Sequence, residues 1–106
     1  MTLNFKYQGL FSVRLFLMKF TVEVNFVSPK KMQKLNKEMR GKSYTPAVLS
    51  FSYWEPTEDG ILLGEVLICK SEAVKMAKKN GVTLEEQINY LALHGTKHIL
   101  GIHHED

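Results

Sequence analysis

The stretch TVEVNFVSPKKMQKLNKEMRG, residues 21–41, decides the fold. Val22, Val24 and Phe26 alternate with Thr21, Glu23 and Asn25, the period of two expected of a strand with one buried face. Ser28 then offers an N-cap hydroxyl, and Pro29 has the φ suited to a first helical position. Met32, Leu35 and Met39 fall on one helical face up to Gly41. Lys30, Lys31, Lys34, Lys37 and Arg40 lie on or beside the polar face of that helix.

Outward from this segment the same two periods recur. Upstream, Leu3, Phe5 and Tyr7 alternate in a short strand over residues 2–7, with Gly9 permitting a turn. The spacing of Leu10, Val13, Phe16, Leu17 and Phe20 predicts a short amphipathic helix over residues 10–20, although the β-branched and aromatic content there also allows a strand. Met18 offers an alternative start. Downstream, residues 48–53 and 62–69 read as two strands, joined as a hairpin by the turn-rich loop 55–60. Ser71 is expected to cap a helix that stops at Asn80 and Gly81. Thr83, with Glu86 three residues on, is expected to open the last helix by a capping box, its apolar stripe running Leu84, Ile88, Leu91. This order of elements predicts an α+β domain in which a mixed β-sheet of about four strands packs with helices.

With 106 residues, 44% hydrophobic and 24% charged, the chain has the size and make-up of one soluble globular domain. Its net charge of +3 is unevenly spread: residues 1–42 carry nine basic and two acidic side chains, and residues 43–106 five basic and nine acidic. Such a split favours contact between the N-terminal half and a polyanion; a solvated basic face explains it equally well. Cys69, the one cysteine, has no intrachain disulfide partner. Arg14 and Lys19 break the apolar stretch from Leu10, and Glu23 follows them. Neither a signal peptide nor a membrane span is therefore expected, and the chain is assigned to the cytoplasm with no membrane partner.

All four histidines, His94, His98, His103 and His104, lie in the last thirteen residues. On a helix, His94 and His98 are separated by about 6 Å of rise, so both rings project from one face and can converge on one metal ion at about 2.0–2.1 Å. Steps of three and four from Leu91 reach these two positions, so the rings are expected to point inward. Gly101 can take the left-handed conformation that reverses the chain and returns His103 or His104 toward the pair. A cluster of hydrogen-bonded structural histidines is the competing reading, but it leaves several imidazole nitrogens in need of separate partners. Three imidazoles leave a fourth position open to water, the mark of a catalytic zinc, and zinc lowers the pKa of water from 15.7 to about 7. Hydrolysis is the expected chemistry. The HExxH pattern of zinc peptidases needs a glutamate directly after the first ligand; Gly95 stands there, and Glu105 and Asp106 are the other candidates for a base.

Three blocks carry a family resemblance. HGTKHILGIHH, from His94 to His104, resembles HGxLHLxGYDH; LNKEMRGKSYTPAVLSF, from Leu35 to Phe51, resembles LNxxYRGxxxPTDVLSF; Leu63, Gly64, Glu65 and Val66 resemble LGDI. All three patterns belong to the YbeY family of zinc-dependent, single-strand-specific endoribonucleases. Lys97, Ile102 and His103 stand where that pattern has Leu, Tyr and Asp, and Pro46 and Ala47 where it has Thr and Asp.

The resemblance implies a single metal-dependent hydrolase domain over residues 1–106, with a metal-binding C-terminal helix and one Zn²⁺ per chain held by His94, His98 and His104. It implies that Arg40 is needed for activity, where its guanidinium would meet a scissile phosphate. His103 is then an alternative third ligand or a proton-transfer group. Single-stranded RNA is the implied substrate and the ribosome the implied partner, in rRNA maturation and ribosome quality control. Lys30, Lys31, Lys34 and Lys37 suit a groove that follows a phosphate backbone, with Tyr44, Tyr53 and Trp54 as stacking surfaces and Ser50 and Phe51 on the cleft floor. A weakened RNA- or ribosome-binding module with a structural zinc is the alternative, and a zinc peptidase a more distant one.

Overall fold

The computed structural model describes residues 5–13, 16–58 and 60–101, with side chains from residue 19 onward. Its elements run β1 (Phe5–Val13), β2 (Phe16–Val27), α1 (Pro29–Arg40), β3 (Val48–Pro56), β4 (Gly60–Cys69), α2 (Lys70–Asn80) and α3 (Leu84–Ile99). The sheet order is β1-β2-β4-β3. Its mixed part is β2-β4-β3, in which β4 runs parallel to β2 and antiparallel to β3, and β1 extends it as an antiparallel neighbour of β2. Parallel strands cannot be joined by a tight turn, so the chain leaves β2 through α1 and β3 before it returns as β4.

Alternation along β2 and β4 then sorts side chains onto two faces. On one, Val22, Val24, Val66 and Ile68 lie under Ala73 of α2 and Leu91, Ala92 and Ile99 of α3. On the other, Met32 of α1 covers Leu49, Leu67 and Cys69, with Leu35 and Phe51 at the margin. Val22, Met32, Val66 and Ile68 are fully buried, each a contribution of about 1.5–3 kcal/mol from water exclusion.

The helix α1 starts and stops where its caps place it: Ser28 Oγ accepts from the Lys31 N–H at 3.2 Å, and Gly41 is left-handed. Met39, however, is exposed, and Asn36 is buried instead. The reason is a hydrogen bond of 2.9 Å from Asn36 Nδ2 to the Tyr44 carbonyl, which folds the chain after α1 back over Asn36 and away from Met39.

The helix expected over residues 10–20 does not form. Those residues belong to the β1-β2 hairpin, paired from Phe5↔Val24 to Val13↔Phe16, and Gly9 sits opposite Phe20 within the ladder and makes no turn. An isolated helix of that length is marginal, whereas β-branched and aromatic residues suit an extended backbone, and the ladder satisfies the amides of both strands. The first three residues of the strand expected over 2–7 lie outside the described residues.

The β3-β4 hairpin forms with a shorter loop than expected, since Glu55 and Pro56 pair with Leu62 and Ile61 and the Thr57 N–H donates to the Gly60 carbonyl at 2.8 Å. Helix α2 begins at Lys70 with Cys69 as its N-cap, so Ser71 is inside the helix and does not cap it. The Cys69 N–H is held by the Ala47 carbonyl at 2.9 Å, which keeps β4 extended to its last residue and lets the helix follow at once. Gly81 ends α2 in the left-handed region. The capping box of α3 is complete, with bonds of 3.1 Å each way between Thr83 and Glu86, and the Thr83 N–H, then its hydroxyl, hold the Glu86 carboxyl below its usual range.

Two glycines set how closely α3 lies on the sheet. A Cβ at Gly95 would stand 2.7 and 2.8 Å from the two Val66 methyls, and one at Gly64 would run into the Phe51 carbonyl and come within 2.9 Å of Ile99 Cδ1.

Candidate metal centre

The buried stripe of α3 over its last turns is Leu91, Ala92, Gly95, Thr96 and Ile99. His94 and His98 therefore do not point into the core: His94 is half-buried and His98 exposed. Gly95 presses on Val66 and turns its neighbours outward, and Thr96 is accommodated inside because its hydroxyl donates to the Ala92 carbonyl at 2.8 Å. The imidazoles thus stand at the rim of the helix–sheet interface.

That rim opens onto a cleft of about 420 Å³ lined by Arg40, Val48, Leu49, Ser50, His94, Gly95 and His98. Its floor is the start of β3, the outermost strand on that side of the sheet, and α3 and the end of α1 form its walls. Arg40 is the last residue of α1 and is exposed, so a helix from one face of the sheet and a helix from the other deliver their chemistry to one cleft. Asn36 Nδ2 on the Tyr44 carbonyl, and Gln33 Nε2 on the Ser43 carbonyl at 3.0 Å, pin the segment that follows Arg40. Asn36 was not among the expected site residues. Its signal was available: a polar side chain four residues after Met32, on the buried face of an amphipathic helix.

The two ring nitrogens Nε2 of His94 and His98 lie 3.1 Å apart, with ring centroids at 4.6 Å and planes at 71°. Two nitrogens bound to one tetrahedral zinc at about 2.0–2.1 Å stand about 3.3–3.4 Å from each other, so the pair fits a shared cation with little adjustment. Two rings this close can otherwise share one N–H···N bond between them. Gly101 has φ 77°, the left-handed conformation that the expected chain reversal requires. His103, His104, Glu105 and Asp106 lie outside the described residues, and among the described ones no group of three or more potential ligands is assembled.

The remaining expected residues divide between the two faces. Lys30, Lys31, Lys34 and Lys37 are all exposed, and none lines the cleft. Lys30, Lys34 and Lys37 follow one another at steps of four and three, and Arg40 continues the series at a further step of three, so they form a stripe that ends at the cleft. Ser50 reaches the cleft, whereas the pleat sends Phe51 to the other face, where with Lys31 it lines a second cavity. Tyr44, Tyr53 and Trp54 are exposed. The Tyr53 hydroxyl donates to Glu65 Oε1 at 2.9 Å, and Asn25 Nδ2 donates to Glu65 Oε2 at 2.7 Å. Partial burial, then this bond and the nearby carboxylates, push the Tyr53 hydroxyl up to about 12.

Fold and cleft together define an α+β domain in which a helix-borne histidine pair faces an arginine across the open edge of a mixed sheet. The chain belongs to the Endoribonuclease YbeY family, whose model matches residues 7–106. It is 39% identical over 80 residues to an endoribonuclease YbeY of Bdellovibrio bacteriovorus, an alignment that covers 76% of this chain and 51% of that protein. It is also 39% identical to the endoribonuclease YbeY of Campylobacter jejuni, over 90% of this chain and 70% of the relative. With that of Malacoplasma penetrans it shares 34% identity over 83% of this chain and 59% of the relative. The chain thus spans about half to 70% of the length of these relatives. Among solved structures, the solution structure of TM1509 from Thermotoga maritima matches with a TM-score of 0.52 and 28% identity, over 79% of this chain and 53% of that one.

Proposed function

We propose that this chain is a zinc-dependent endoribonuclease that cleaves single-stranded RNA. The observation that carries the proposal is the placement of two imidazole nitrogens 3.1 Å apart on the cleft that Arg40 also lines. His94 and His98 supply two ligands to one Zn²⁺ per chain, and His104, or His103 in its place, the third. When bound, such an ion acidifies water to a pKa of about 7 and so provides a nucleophile at neutral pH.

The chain's own side chains do the rest. Arg40 receives the phosphate: its fork of donors matches two phosphate oxygens at once, and a fixed positive charge stabilises the negative charge that develops on them. Exposed Lys30, Lys34 and Lys37 extend that charge along α1 and attract the backbone of an RNA strand toward the cleft, an attraction that weakens with salt. Lys31, one position round the helix, adds to the same field. If His104 completes the ligand set, His103 is placed next to it in sequence with an imidazole suited to moving protons near neutral pH. The setting we assign is the cytoplasm, in rRNA maturation, including rRNA end processing, and in ribosome quality control, with the ribosome as partner.

The peptidase alternative asks for a carboxylate directly after His94. Gly95 lies against Val66, where even a Cβ has no room, so no side chain can serve as a base from that position.

The test combines metal content with cleavage. Protein purified without an affinity tag should carry close to one metal ion per chain and cut a labelled single-stranded RNA. His98→Ala should lose both properties, while Arg40→Ala should lose cleavage and keep the metal. Salt-sensitive RNA binding without cleavage would point to the binding module, and full cleavage by His98→Ala in the presence of a chelator would overturn the metal-dependent mechanism.

A further inference from the structure

Tyr90 lies one helical turn before His94 on α3 and is 61% exposed. Its ring is stacked on that imidazole, with centroids 6.0 Å apart and planes within 13°. Little of this aromatic is buried, so packing alone does not account for it. The same residue also forms a wall of a separate cavity of about 450 Å³ between α2 and α3, shared with Met76, Asn80, Val82, Glu86 and Gln87. Tyr90 therefore both lines that cavity and touches the first imidazole of the pair.

Inside the cavity the polar groups are held in place. Asn80 Nδ2 donates to Gln87 Oε1 at 2.9 Å, and Gln87 is only 3% exposed. That bond leaves over Asn80 Oδ1, an acceptor, and Gln87 Nε2, a donor, the two kinds of group with which amides read the edges of bases. Met76 and Val82 add apolar wall, and Tyr90 a flat ring.

We propose that this cavity is a nucleobase subsite of the RNA site, with Tyr90 as the stacking residue that selects which nucleotide lies beside His94 and His98. This rests on the reading of the chain as an RNA-cleaving enzyme. A base is favoured over a phosphate as the occupant because Glu86, a carboxylate, stands at the cavity and repels anions, and among the described residues no lysine or arginine lines it, the neighbouring Lys78 and Lys79 of α2 being exposed outside it. The strand then places its phosphate at the cleft and a flanking, unstacked base behind Tyr90, as single-stranded RNA permits and a duplex does not.

The experiment titrates the protein with each of the four nucleoside monophosphates, with ribose phosphate as the base-free control, and follows amide chemical shifts. The nucleotides should shift Met76, Val82 and Tyr90, and ribose phosphate should leave them unmoved. Tyr90→Ala should weaken nucleotide binding about fivefold or more, and Tyr90→Phe should retain it, since stacking on an aromatic contributes that much per base. On a single-stranded RNA, Tyr90→Ala should alter the pattern of cut positions with its metal content unchanged. Equal shifts from ribose phosphate, or a Tyr90→Ala protein with wild-type affinity and an unchanged pattern, would overturn the subsite. Nucleotide shifts at the cavity in a protein that does not cleave RNA would uphold the subsite and sink the nuclease; cleavage with no shift at the cavity would do the reverse.

Discussion

Replacing Gly95 by alanine sets helix propensity directly against packing. In an exposed helix the change is favourable by about 0.8–1.0 kcal/mol. Here the new Cβ would stand 2.7 and 2.8 Å from the Val66 methyls, well inside the roughly 3.5–4.0 Å of a comfortable carbon contact. Val66 is fully buried in β4 and, being β-branched, has little rotamer freedom with which to step aside. Overpacking of this kind costs about 1–3 kcal/mol, so after the propensity gain the net loss reaches up to about 2 kcal/mol. At this chain length each kcal/mol moves Tm by about 4–8 °C. The sharper measurement is a double-mutant cycle by urea unfolding with Val66→Ala, which by itself removes two methyls worth about 1.6 kcal/mol of burial, plus a cavity term. In that background both clashing methyls are gone, and Gly95→Ala should turn neutral or stabilising. A coupling energy within about 0.5 kcal/mol of zero would refute the claim that Gly95 sets the seat of α3. In the single variant α3 is also lifted from the sheet, so His94 moves relative to Arg40 and metal affinity should fall with stability.

Three further outcomes follow from the same structure. The Tyr53 hydroxyl, pushed up to about 12 from 10.0, keeps its proton in the fold at pH values where the unfolded chain has lost it. The stability it contributes is complete below pH about 10 and drains away as pH rises toward 12. Tyr53→Phe should flatten that part of the alkaline unfolding curve, and Glu65→Gln should bring the phenolate absorbance titration to lower pH; an unmoved titration would show that Glu65 is not responsible. Thr83→Ala should cost about 0.5–2 kcal/mol in unfolding free energy through loss of the cap on α3. It should raise the Glu86 carboxyl only in part, because the Thr83 N–H, the larger cause of its lowering, still donates to Glu86 Oε1. Because Glu86 is held low, its contribution is present at neutral pH and lost as pH falls through its lowered value, so Glu86→Gln should flatten the acid limb of stability, and a carboxyl titration by NMR of the wild-type protein checks the lowering. Asn36→Ala removes the bond to the Tyr44 carbonyl and should cost about 0.5–1.5 kcal/mol, with amide exchange rising most across residues 41–47; uniform exchange across the sheet would assign Asn36 to general packing.

Most of the helical architecture was legible because its signals are local. Ser28, Gly41, Gly81, Thr83 and Glu86 act on backbone groups within one turn of themselves, and each is found doing so. The misreadings share one cause. Residues 10–20 satisfy a helical spacing and a strand composition together, and what settled them was strand pairing: Leu10–Val13 lie opposite Phe16–Lys19, and Lys19 and Phe20 pair onward with Gly60 and Ile61 of β4, which no window of their own contains. Ser71 looked like a cap until the Ala47 carbonyl held the Cys69 N–H and moved the helix start back. Met39 and the two histidines were each placed on the buried face by a stripe one position out of phase, because Asn36 and Gly95, a polar residue and a bare one, carry no apolar signal and yet occupy the inner positions.

By itself the sequence determined that His94 and His98 share one side of a helix, that α1 ends in an arginine, and that both belong to one α+β domain. Those facts depend only on neighbours three or four residues apart and on caps. Only the tertiary structure decided that the arginine and the imidazoles face each other over the start of β3. That meeting needs the crossover from β2 to β4, which puts α1 and α3 on opposite faces of the sheet, and the close seat at Gly64 and Gly95, which turns the imidazoles out to its edge. Contacts of this kind are set by volume exclusion between segments far apart in the chain, and no local period encodes them.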